Sequence, residues 1–505
     1  MRLKKNGHQT SINSLNSHKP MTWLTTQVQK RPDAPAFYFQ EESWTFLEVQ
    51  REVNYWVTTY QTLLPATEKR VALFSKNSKE LYFSILALWE LGREILFLNT
   101  HLTLPELTYQ LTDAQVTTVI AAEKLGKIIT EIPNIKVVNM VKATKKVQTT
   151  FTRPDVKLKT VASIMYTSGT TGKPKGVLQR FENHLASALG TQENMEITSE
   201  DCWLCPVPLF HISGLSIIVR QLVLGCSVRL YQHFDEEQVT ADLMENRGTV
   251  ISVVSLMLQK LLEVYPATGY GSIFKGMLLG GGPIAPDKLA LCQTYGVPVI
   301  QSYGMTETCS QVVALKFTQA AQKIGSAGKP LKNMHLKIID EHGQVCAAQQ
   351  VGEILLKGPN VVAGYLNHRQ PEKWMPDGWF RTGDMGYLDD EGYLYLVSRL
   401  SELIISGGEN IYPTEIEHTL QQMSGVEAVA VVGESDEKWG AVPVAYIIGD
   451  TQMTLAEVQA YCGKFLAKYK LPQRIYFCHT LPQTASGKIA KHRLMTAERE
   501  AFLIR

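Results

Sequence analysis

The 505-residue sequence lacks the features that mark membrane, secreted and nucleic-acid-binding proteins. Its most apolar stretches, LYFSILALWELG and LSIIVRQLVLG, are interrupted by Glu90 and Arg220, so neither is long or apolar enough to span a bilayer. The net charge is only +2, which provides neither a basic field for nucleic acid nor an acidic tail. We therefore expect no integral membrane segment, no nucleic-acid partner and a cytoplasmic location.

The eight cysteines also lack the spacing of a disulfide framework. One close pair, Cys202 and Cys205 in DCWLCPVPLF, has the spacing of a redox motif. The run around this pair is apolar and strand-like, and no helix start follows it. We expect reduced thiols at both positions.

What the sequence does contain is a long alternation of short β-type runs and helical patterns. Residues 1–20 have basic side chains without an apolar segment, so they predict a disordered extension or a start codon misplaced ahead of Met21. The alternation over 21–397 predicts an α/β domain of layered, largely parallel sheets with helices. A hinge at 398–402 and a small, mobile α+β domain at 403–505 would follow, and a homo-oligomer is compatible with this organisation.

Local signals predict several elements near the second domain. DMGYLDDEGYLYLVSR predicts a hairpin with its turn at Asp389–Gly392. SELIISGGENIYPTEIEHTLQQM predicts a strand, a Gly-Gly loop and a helix that begins at Pro413. LAEVQAYCGKFLAKY, residues 455–469, predicts a further helix.

The stretch YTSGTTGKPKG, residues 166–176, follows the apolar run VASIM and is rich in hydroxyl, glycine and lysine residues. Such a loop exposes its backbone N–H groups, which favours phosphate. It is not a nucleoside triphosphatase P-loop, because Gly169 and Gly172 are three apart where that motif needs five. Lys173 is also followed by Pro174 instead of Ser or Thr. The loop therefore predicts a phosphate site of another kind.

Seven motifs in one order over residues 21–505 resemble the adenylate-forming enzymes, a superfamily of acyl- and aryl-CoA synthetases, peptide-synthetase adenylation domains and firefly luciferase. The motifs are YTSGTTGKPKG, PLFHISG, LLGGGPI, QSYGMTET, GWFRTGD, SRLSELIISGGENIYP and TASGKIAKHRL. The resemblance implies a ligase that activates a carboxylate with ATP and Mg²⁺, releases pyrophosphate and transfers the acyl group to coenzyme A. Such chemistry needs cationic and N–H groups, because an anion must approach a polyanion.

The resemblance also implies roles for individual residues. Tyr303 would stack on adenine, Asp384 would accept from the ribose hydroxyls, and Glu307 would bind Mg²⁺. Residues with catalytic roles would be Thr306, Glu307, Arg399 and Lys488. Nucleotide- or CoA-binding residues would be Thr167, Ser168, Gly169, Thr170, Thr171, Gly172, Lys173, Lys175, Gly281, Gly282, Ser302, Tyr303, Gly304, Met305, Asp384, Ser406, Gly407, Gly408 and Glu409.

The same resemblance implies a domain rotation. Lys488 would bridge the α-phosphate and the substrate carboxylate during adenylation, and rotation about the hinge would then withdraw it. The loop SGGENIYP, residues 406–413, would move beside the pantetheine tunnel. Ser401 stands where many relatives have Asp or Lys, and Ser398 replaces the usual Gly. Lys491 and Arg493 are expected to be solvated charges.

Three residues bear on the acid that is activated: His211 in PLFHISG and Gly280 in LLGGGPI would line the acyl pocket, and Arg220 interrupts an apolar helix pattern. A guanidinium there is costly unless it reaches the surface or meets an anion, and the sequence leaves both alternatives open. HISGLSIIVRQLVLG, ISVVSLMLQKLL, LLGGGPI and QSYGMTETCSQ resemble members of the family that use an aromatic dicarboxylic acid. Arg220 would then contact the carboxylate that is not activated.

Three other functions remain open at this point. The chain could be another aryl- or medium-chain acyl-CoA ligase, or an adenylation enzyme that loads a carrier protein. A non-catalytic ATP-binding or scaffold relative is a third alternative. The charged side chains of Glu307, Asp384, Arg399 and Lys488 argue against it, because a degraded enzyme has little reason to keep all four.

Overall fold

The structure, a computed structural model, describes residues 22–140, 154–167, 174–280, 286–320, 322–406, 409–483 and 489–504. Several residues singled out from the sequence lie outside these ranges: residues 1–20, Ser168–Lys173, Gly281, Gly282, Gly407, Gly408 and Lys488. Within the described ranges, no helix is both long and apolar enough to cross a membrane.

Thirteen α-helices are present in the described ranges. They are α1 (Thr22–Lys30), α2 (Phe46–Leu63), α3 (Lys79–Glu90), α4 (Leu104–Asp113), α5 (Glu123–Ile129), α6 (Phe181–Met195), α7 (Ile212–Leu224), α8 (Glu236–Met244), α9 (Ser255–Glu263), α10 (Pro286–Thr294), α11 (Pro413–Gln421), α12 (Leu455–Cys462) and α13 (Lys491–Leu494).

The strands of the first part of the chain are β1 (Pro35–Phe39), β2 (Glu42–Thr45), β3 (Arg70–Phe74), β4 (Glu94–Phe97), β5 (Thr118–Ala121), β6 (Lys136–Asn139), β7 (Val161–Thr167), β8 (Lys175–Arg180), β9 (Cys202–Cys205), β10 (Ser227–Leu230), β11 (Val250–Val253), β12 (Gly276–Leu279), β13 (Val299–Met305), β14 (Ser310–Ala314) and β15 (Lys329–Pro330). Those of the later part are β16 (His335–Ile339), β17 (Gly352–Lys357), β18 (Phe380–Leu388), β19 (Leu394–Arg399), β20 (Ile404–Ser406), β21 (Glu409–Ile411), β22 (Val426–Asp436), β23 (Gly440–Gly449) and β24 (Arg474–Phe477).

Two large sheets form the first part of the chain. One has the order β6-β5-β3-β4-β7-β8 and is parallel except for the β7–β8 pair. The other has the order β15-β14-β13-β12-β11-β9-β10-β1-β2, with a parallel centre from β13 to β1 and antiparallel edges. The predicted fold class, layered and largely parallel sheets with helices, is confirmed.

Helices fill the space between the two sheets. A single buried cluster joins Val71 and Ile95 of one sheet to Phe37 and Val228 of the other, through apolar side chains of α3 and α7. Helix α3 begins directly after Ser78, because the Ser78 hydroxyl accepts from the Leu81 N–H at 3.0 Å, a typical N-cap. The two most apolar runs of the sequence are therefore buried helices of the core.

The β/α alternation ends earlier than the sequence indicated. Strands β16 to β19 form a four-stranded antiparallel sheet, which the pattern over 21–397 did not predict. The predicted hairpin is part of it, since Leu388 pairs with Leu394 across the turn. Strand β17 is buried at five consecutive residues, Gly352–Leu356, so in sequence it resembles a strand of a parallel sheet.

The last hundred residues form the small α+β unit that the sequence predicted. Strands β21, β20, β23 and β22 pair in that order, and β24 joins β23. Helix α11 begins at Pro413 as predicted. Helix α12 is shorter than the predicted 455–469, because it ends at Cys462 and Gly463 follows as its C-cap. Glycine is unfavourable inside a helix, so the helix stops there.

Candidate active site

The two strands that flank the predicted phosphate loop form an antiparallel pair. Thr167, the last residue of β7, lies opposite Lys175, the first residue of β8. The carbonyl of Pro174 accepts from the Tyr109 hydroxyl at 3.0 Å and from Arg369 Nη1 at 3.1 Å. The loop residues Ser168–Lys173 lie outside the described ranges, but their exit point is held firmly by side chains from two other elements.

Glu307 lies in a single 3₁₀ turn, Thr306–Thr308, directly after β13. Its side chain is buried, and Oε1 accepts from the Tyr365 hydroxyl at 2.7 Å. Lys175 Nζ lies 5.7 Å from the centroid of the Tyr365 ring. Burial and the charge of Glu307 raise the pKa of Tyr365, so the phenol stays a neutral donor. The predicted Mg²⁺ ligand and a predicted phosphate-binding lysine therefore meet at Tyr365.

The sequence reasoning missed Tyr365. It lies 58 residues from Glu307, and no local pattern relates the two positions. The isolated bridge between Val177 and Tyr365 brings them together, because it places the tyrosine beside β8. Only the tertiary fold could reveal this contact.

A series of buried hydrogen bonds ends at the backbone carbonyl of Thr306. The Ser163 hydroxyl donates to Gln179 Oε1 at 2.6 Å, and Gln179 Nε2 donates to the Thr306 carbonyl at 2.9 Å. Ser163 has only one proton, so the contact of 2.8 Å with His184 Nε2 must be donated by the imidazole. Burial lowers the pKa of His184 to about 3, which keeps the imidazole neutral. The donors of these hydrogen bonds therefore all point the same way, from His184 through Ser163 and Gln179 to the Thr306 carbonyl.

Replacing Gln179 by Leu should destabilise the large domain by about 1–3 kcal/mol, because it leaves the Thr306 carbonyl and the Ser163 hydroxyl buried without partners. Urea unfolding followed by tryptophan fluorescence would measure this. Gln27→Leu is the matched control, since Gln27 is also buried and donates to two backbone carbonyls, of Leu222 and Val223. Both variants should lose stability, but only Gln179→Leu should also raise the KM for ATP. An unfolding midpoint equal to wild type would contradict the role of Gln179.

Asp384, Tyr303 and Arg399 meet at the predicted ribose end of the site. The Tyr303 hydroxyl donates to Asp384 Oδ2 at 2.8 Å, and Arg399 Nε lies 3.3 Å from Asp384 Oδ1. Asp384 and Arg399 are also paired residues of the β18–β19 ladder. Burial and the nearby carboxylate raise the pKa of Tyr303 well above its usual value, so the phenol remains protonated. The hairpin thus aligns a carboxylate and a guanidinium beside a buried aromatic ring.

The glycines of the predicted site differ in what they permit. A Cβ at Gly304 would lie 2.1 Å from the Ser310 carbonyl oxygen, so only glycine allows this approach of β13 to β14. Among the described residues, a Cβ at Gly280 would meet Ser302 Oγ alone, at 3.5 Å. Ser302 itself donates to the Leu279 carbonyl at 2.9 Å. Gly304 therefore shapes the turn that carries Met305 and Thr306, whereas Gly280 leaves open space beside Ser302.

Arg220 on α7 is 1% exposed, which decides between the two alternatives that the sequence left open: the side chain does not reach the surface. Its guanidinium carbon lies 4.7 Å from the centroid of the Trp203 ring, and Nη2 donates to Ser310 Oγ at 3.2 Å. Within the described residues, Arg220 Nε is buried without a hydrogen-bond partner and no carboxylate pairs with the guanidinium. Burial lowers the pKa of Arg220 to about 10, so it stays charged at neutral pH. A buried charge in this state needs an anion.

Two serines share the surroundings of this guanidinium. Ser216 is one helical turn before Arg220, and its hydroxyl lies 3.4 Å from Ser310 Oγ. Ser310 has φ of +95°, which is unusual for a residue with a side chain and marks backbone strain. Ser310 pairs with Met305 across the β13–β14 ladder. The cluster of Arg220, Ser216 and Ser310 therefore lies directly beside the predicted nucleotide motif.

His211 is the N-cap residue of α7, the helix that carries Arg220. Its ring packs against Phe210 with centroids 4.7 Å apart. Position 214 requires glycine, because a Cβ there would lie 2.3 Å from the Pro208 carbonyl oxygen. The motif PLFHISG is thus a tight loop-to-helix turn that fixes His211 at one end of α7.

In the small unit, Ser406 and Glu409 are paired residues of β20 and β21, on either side of the two glycines outside the described ranges. Ser406 is buried and Glu409 is exposed. Within the described residues, no contact joins these two side chains to the nucleotide motif.

Lys491 is not a solvated charge, contrary to the sequence prediction. Its amine pairs with Glu417 at 2.8 Å and with Glu402 at 3.0 Å, and its side chain is 13% exposed. Burial alone would lower the pKa of Lys491, but the two carboxylates outweigh it and raise the pKa. Arg493 is partly exposed and pairs with Glu498, as expected of a surface charge. No local pattern in the sequence indicates that Lys491 pairs with two carboxylates.

Comparison with known proteins identifies the family of this chain. The profile of the AMP-binding enzyme family matches residues 24–366, and that of the AMP-binding enzyme C-terminal domain matches residues 415–488. A 2-succinylbenzoate–CoA ligase of Enterococcus faecalis is 73% identical over 485 residues, covering 96% of this chain and 100% of that protein.

Two solved structures are also similar. The o-succinylbenzoate CoA synthetase (MenE) of Bacillus subtilis in complex with the acyl-adenylate intermediate OSB-AMP has a TM-score of 0.88 and 38% identity, covering 94% of this chain and 98% of that one. The same enzyme in complex with ATP and magnesium ion has a TM-score of 0.86 and 37% identity, covering 94% and 99%.

The chain therefore belongs to the AMP-binding enzyme family, which confirms the resemblance to adenylate-forming ligases. Among the family members that it resembles over nearly the whole length are 2-succinylbenzoate–CoA ligases.

Proposed function

We infer that this chain converts 2-succinylbenzoate to 2-succinylbenzoyl-CoA through an acyl-adenylate, releasing AMP and pyrophosphate, as a step of menaquinone (vitamin K2) biosynthesis. The observation that carries this inference is the buried, charged and incompletely bonded guanidinium of Arg220 beside the nucleotide motif. A plain fatty acid would leave this charge without a counterion. An acid with a second carboxylate supplies one.

The pocket for the second carboxylate would consist of Arg220, Ser216 and Ser310. Ser310 Oγ lies 3.2 Å from Arg220 Nη2 and 3.4 Å from Ser216 Oγ, and polar hydrogens clustered around a buried cation favour an anion. The strained backbone of Ser310 supports a functional role, because such strain persists mainly at binding sites. His211 and Gly280 would then border the succinyl arm that is activated.

In the adenylation step, the succinyl carboxylate attacks the α-phosphate of ATP and pyrophosphate leaves. Thr167, Lys175 and the loop between them would hold the outer phosphates, and Asp384 would hold the ribose. Glu307 offers a buried carboxylate with one oxygen already fixed, which fits the few protein ligands that Mg²⁺ takes. Mg²⁺, when bound, neutralises charge on the phosphates. Arg399 and Thr306 would stabilise the crowded negative oxygens.

Lys488 and the small domain would act in sequence. Lys488 would supply positive charge between the two reacting anions, and rotation about 398–402 would then exchange it for the loop at 406–413. The hinge residues Ser398 and Ser401 are small and lie where β19 ends in a single 3₁₀ turn, Leu400–Glu402. A short turn between two sheets supports a hinge there, because few dihedrals need to change. A cytoplasmic homo-oligomer without nucleic-acid partners remains an expectation from the sequence.

The test is AMP formation with ATP, Mg²⁺ and CoA over a panel of acids. We expect rapid turnover of 2-succinylbenzoate and slow turnover of benzoate and octanoate, measured by pyrophosphate release and product chromatography. Rapid turnover of benzoate or octanoate with none of 2-succinylbenzoate would favour another acyl-CoA ligase. Turnover that does not require CoA but needs a carrier protein would favour the carrier-loading alternative.

A further inference from the structure

The carboxylate of Glu307 is held by a residue that none of the sequence motifs contains. The Tyr365 hydroxyl donates to Glu307 Oε1 at 2.7 Å, and the Val362 N–H donates to the Glu307 backbone carbonyl at 2.9 Å. Both bonds come from one segment, so side chain and backbone of Glu307 are fixed together. Glu307 is 8% exposed, which leaves little water to replace the phenol.

The segment that holds Glu307 is itself well anchored. Trp374 Nε1 donates to the Val362 carbonyl at 2.7 Å, and the Trp374 ring packs edge-on against Tyr365 with centroids 5.1 Å apart. The Asn183 side chain donates to the carbonyl of Val361 at 3.2 Å. These contacts hold the Tyr365 side chain in place, so the position of its hydroxyl is fixed.

We propose that Tyr365 is a positioning residue that orients the Glu307 carboxylate toward the Mg²⁺ of the bound nucleotide. This deepens the proposed function and rests on it. The hydrogen bond engages Oε1, so Oε2 would be the oxygen available to the cation. A hydrogen-bonded carboxylate is already ordered before the metal arrives, and loss of such a partner typically lowers metal affinity or activity about 10- to 100-fold.

A purely structural role for Tyr365 would give a different result for the Tyr365→Phe variant. Its ring packs against Trp374, and Lys175 lies over the ring face. Tyr365→Phe retains both contacts and removes only the hydroxyl. If the ring alone mattered, this variant would resemble wild type in every respect; if the hydroxyl orients Glu307, the requirement for Mg²⁺ changes.

The experiment measures the Mg²⁺ midpoint in two ways: by pyrophosphate release at saturating ATP and acid, and by the Mg²⁺-dependent thermal shift with ATP and no acid. We expect Tyr365→Phe to raise both midpoints roughly tenfold, with kcat at saturating Mg²⁺ less affected. Tyr60→Phe is the matched control, because its buried hydroxyl bonds to Ser84 at 2.6 Å in the helical core. That control should keep the wild-type midpoint even if it unfolds at a lower temperature.

A double-mutant cycle with Glu307→Gln completes the test. Glu307→Gln alone should raise the midpoint, and adding Tyr365→Phe should then have little further effect, because the two residues act through one carboxylate. Additive effects, or an unchanged midpoint in Tyr365→Phe, would overturn the inference. If Tyr365→Phe fails to fold, an unchanged midpoint in Glu307→Gln would overturn it instead. Failure of the proposed function looks different, since wild type would then release no pyrophosphate with any acid.

Discussion

Replacing Lys488 by Ala should slow formation of the acyl-adenylate by roughly 10²–10³-fold, the cost of removing one group that stabilises transition-state charge. The reason is electrostatic: two anions must meet, and Lys488 would supply positive charge between them. The thioester half-reaction should be nearly unchanged, because the proposed rotation removes this lysine before CoA attacks. Pyrophosphate release measures the first half-reaction. Thioester formation from supplied 2-succinylbenzoyl-AMP and CoA measures the second.

The control for this prediction is a lysine of the same domain outside the predicted site. Lys468 is exposed and lies in a short 3₁₀ turn, so Lys468→Ala should leave both half-reactions unchanged. Lys491 is unsuitable as a control, because it is buried between Glu402 and Glu417 and its loss would destabilise the domain. Equal losses in both half-reactions of Lys488→Ala would mean that the residue supports the fold of the small domain instead of adenylation.

The sequence predicted the parts of the fold that depend on local patterns. The alternation of β-type and helical runs predicted the largely parallel sheets, and Pro413 marked the start of α11. The turn at Asp389–Gly392 was predicted as well, and the hairpin that it closes pairs Asp384 with Arg399. The rest of the antiparallel sheet β16–β19 was not predicted, because β17 is buried at five consecutive residues and so resembles a strand of a parallel sheet.

The parts of the site that could not be predicted depend on contacts between distant residues. Gln179 donates to the carbonyl of Thr306 from 127 positions away, and Tyr365 donates to Glu307 from 58 positions away. Neither contact leaves a pattern in a single sequence. The surroundings of Arg220 are similar: its position in an apolar helix indicated a costly charge, but only the structure decides between the surface and the interior.

Replacing Arg220 by Leu should lower kcat/KM for 2-succinylbenzoate by roughly 10- to 150-fold, because a hydrogen bond to a charged group contributes about 1.5–3 kcal/mol. The loss should appear mainly in KM, since the aryl carboxylate does not react and is bound equally in ground and transition states. A monoacid analogue that lacks the aryl carboxylate should be affected far less. Arg220→Lys should recover only part of the loss, because an ammonium cannot stack on Trp203 or present a planar fork.

Arg229→Leu provides the matched control, because Arg229 also stacks on an aromatic ring, that of Tyr38, but has Asp242 at 3.9 Å. That variant should affect the diacid and the monoacid alike. Thermal unfolding adds an independent readout: Arg220→Leu should unfold at the wild-type temperature or above it, since it removes a buried charge with which no carboxylate of the described residues pairs. Equal losses with both acids, or a lower unfolding temperature, would make Arg220 a structural residue. A stable protein that discriminates poorly between the acids would show that this charge is kept for the substrate.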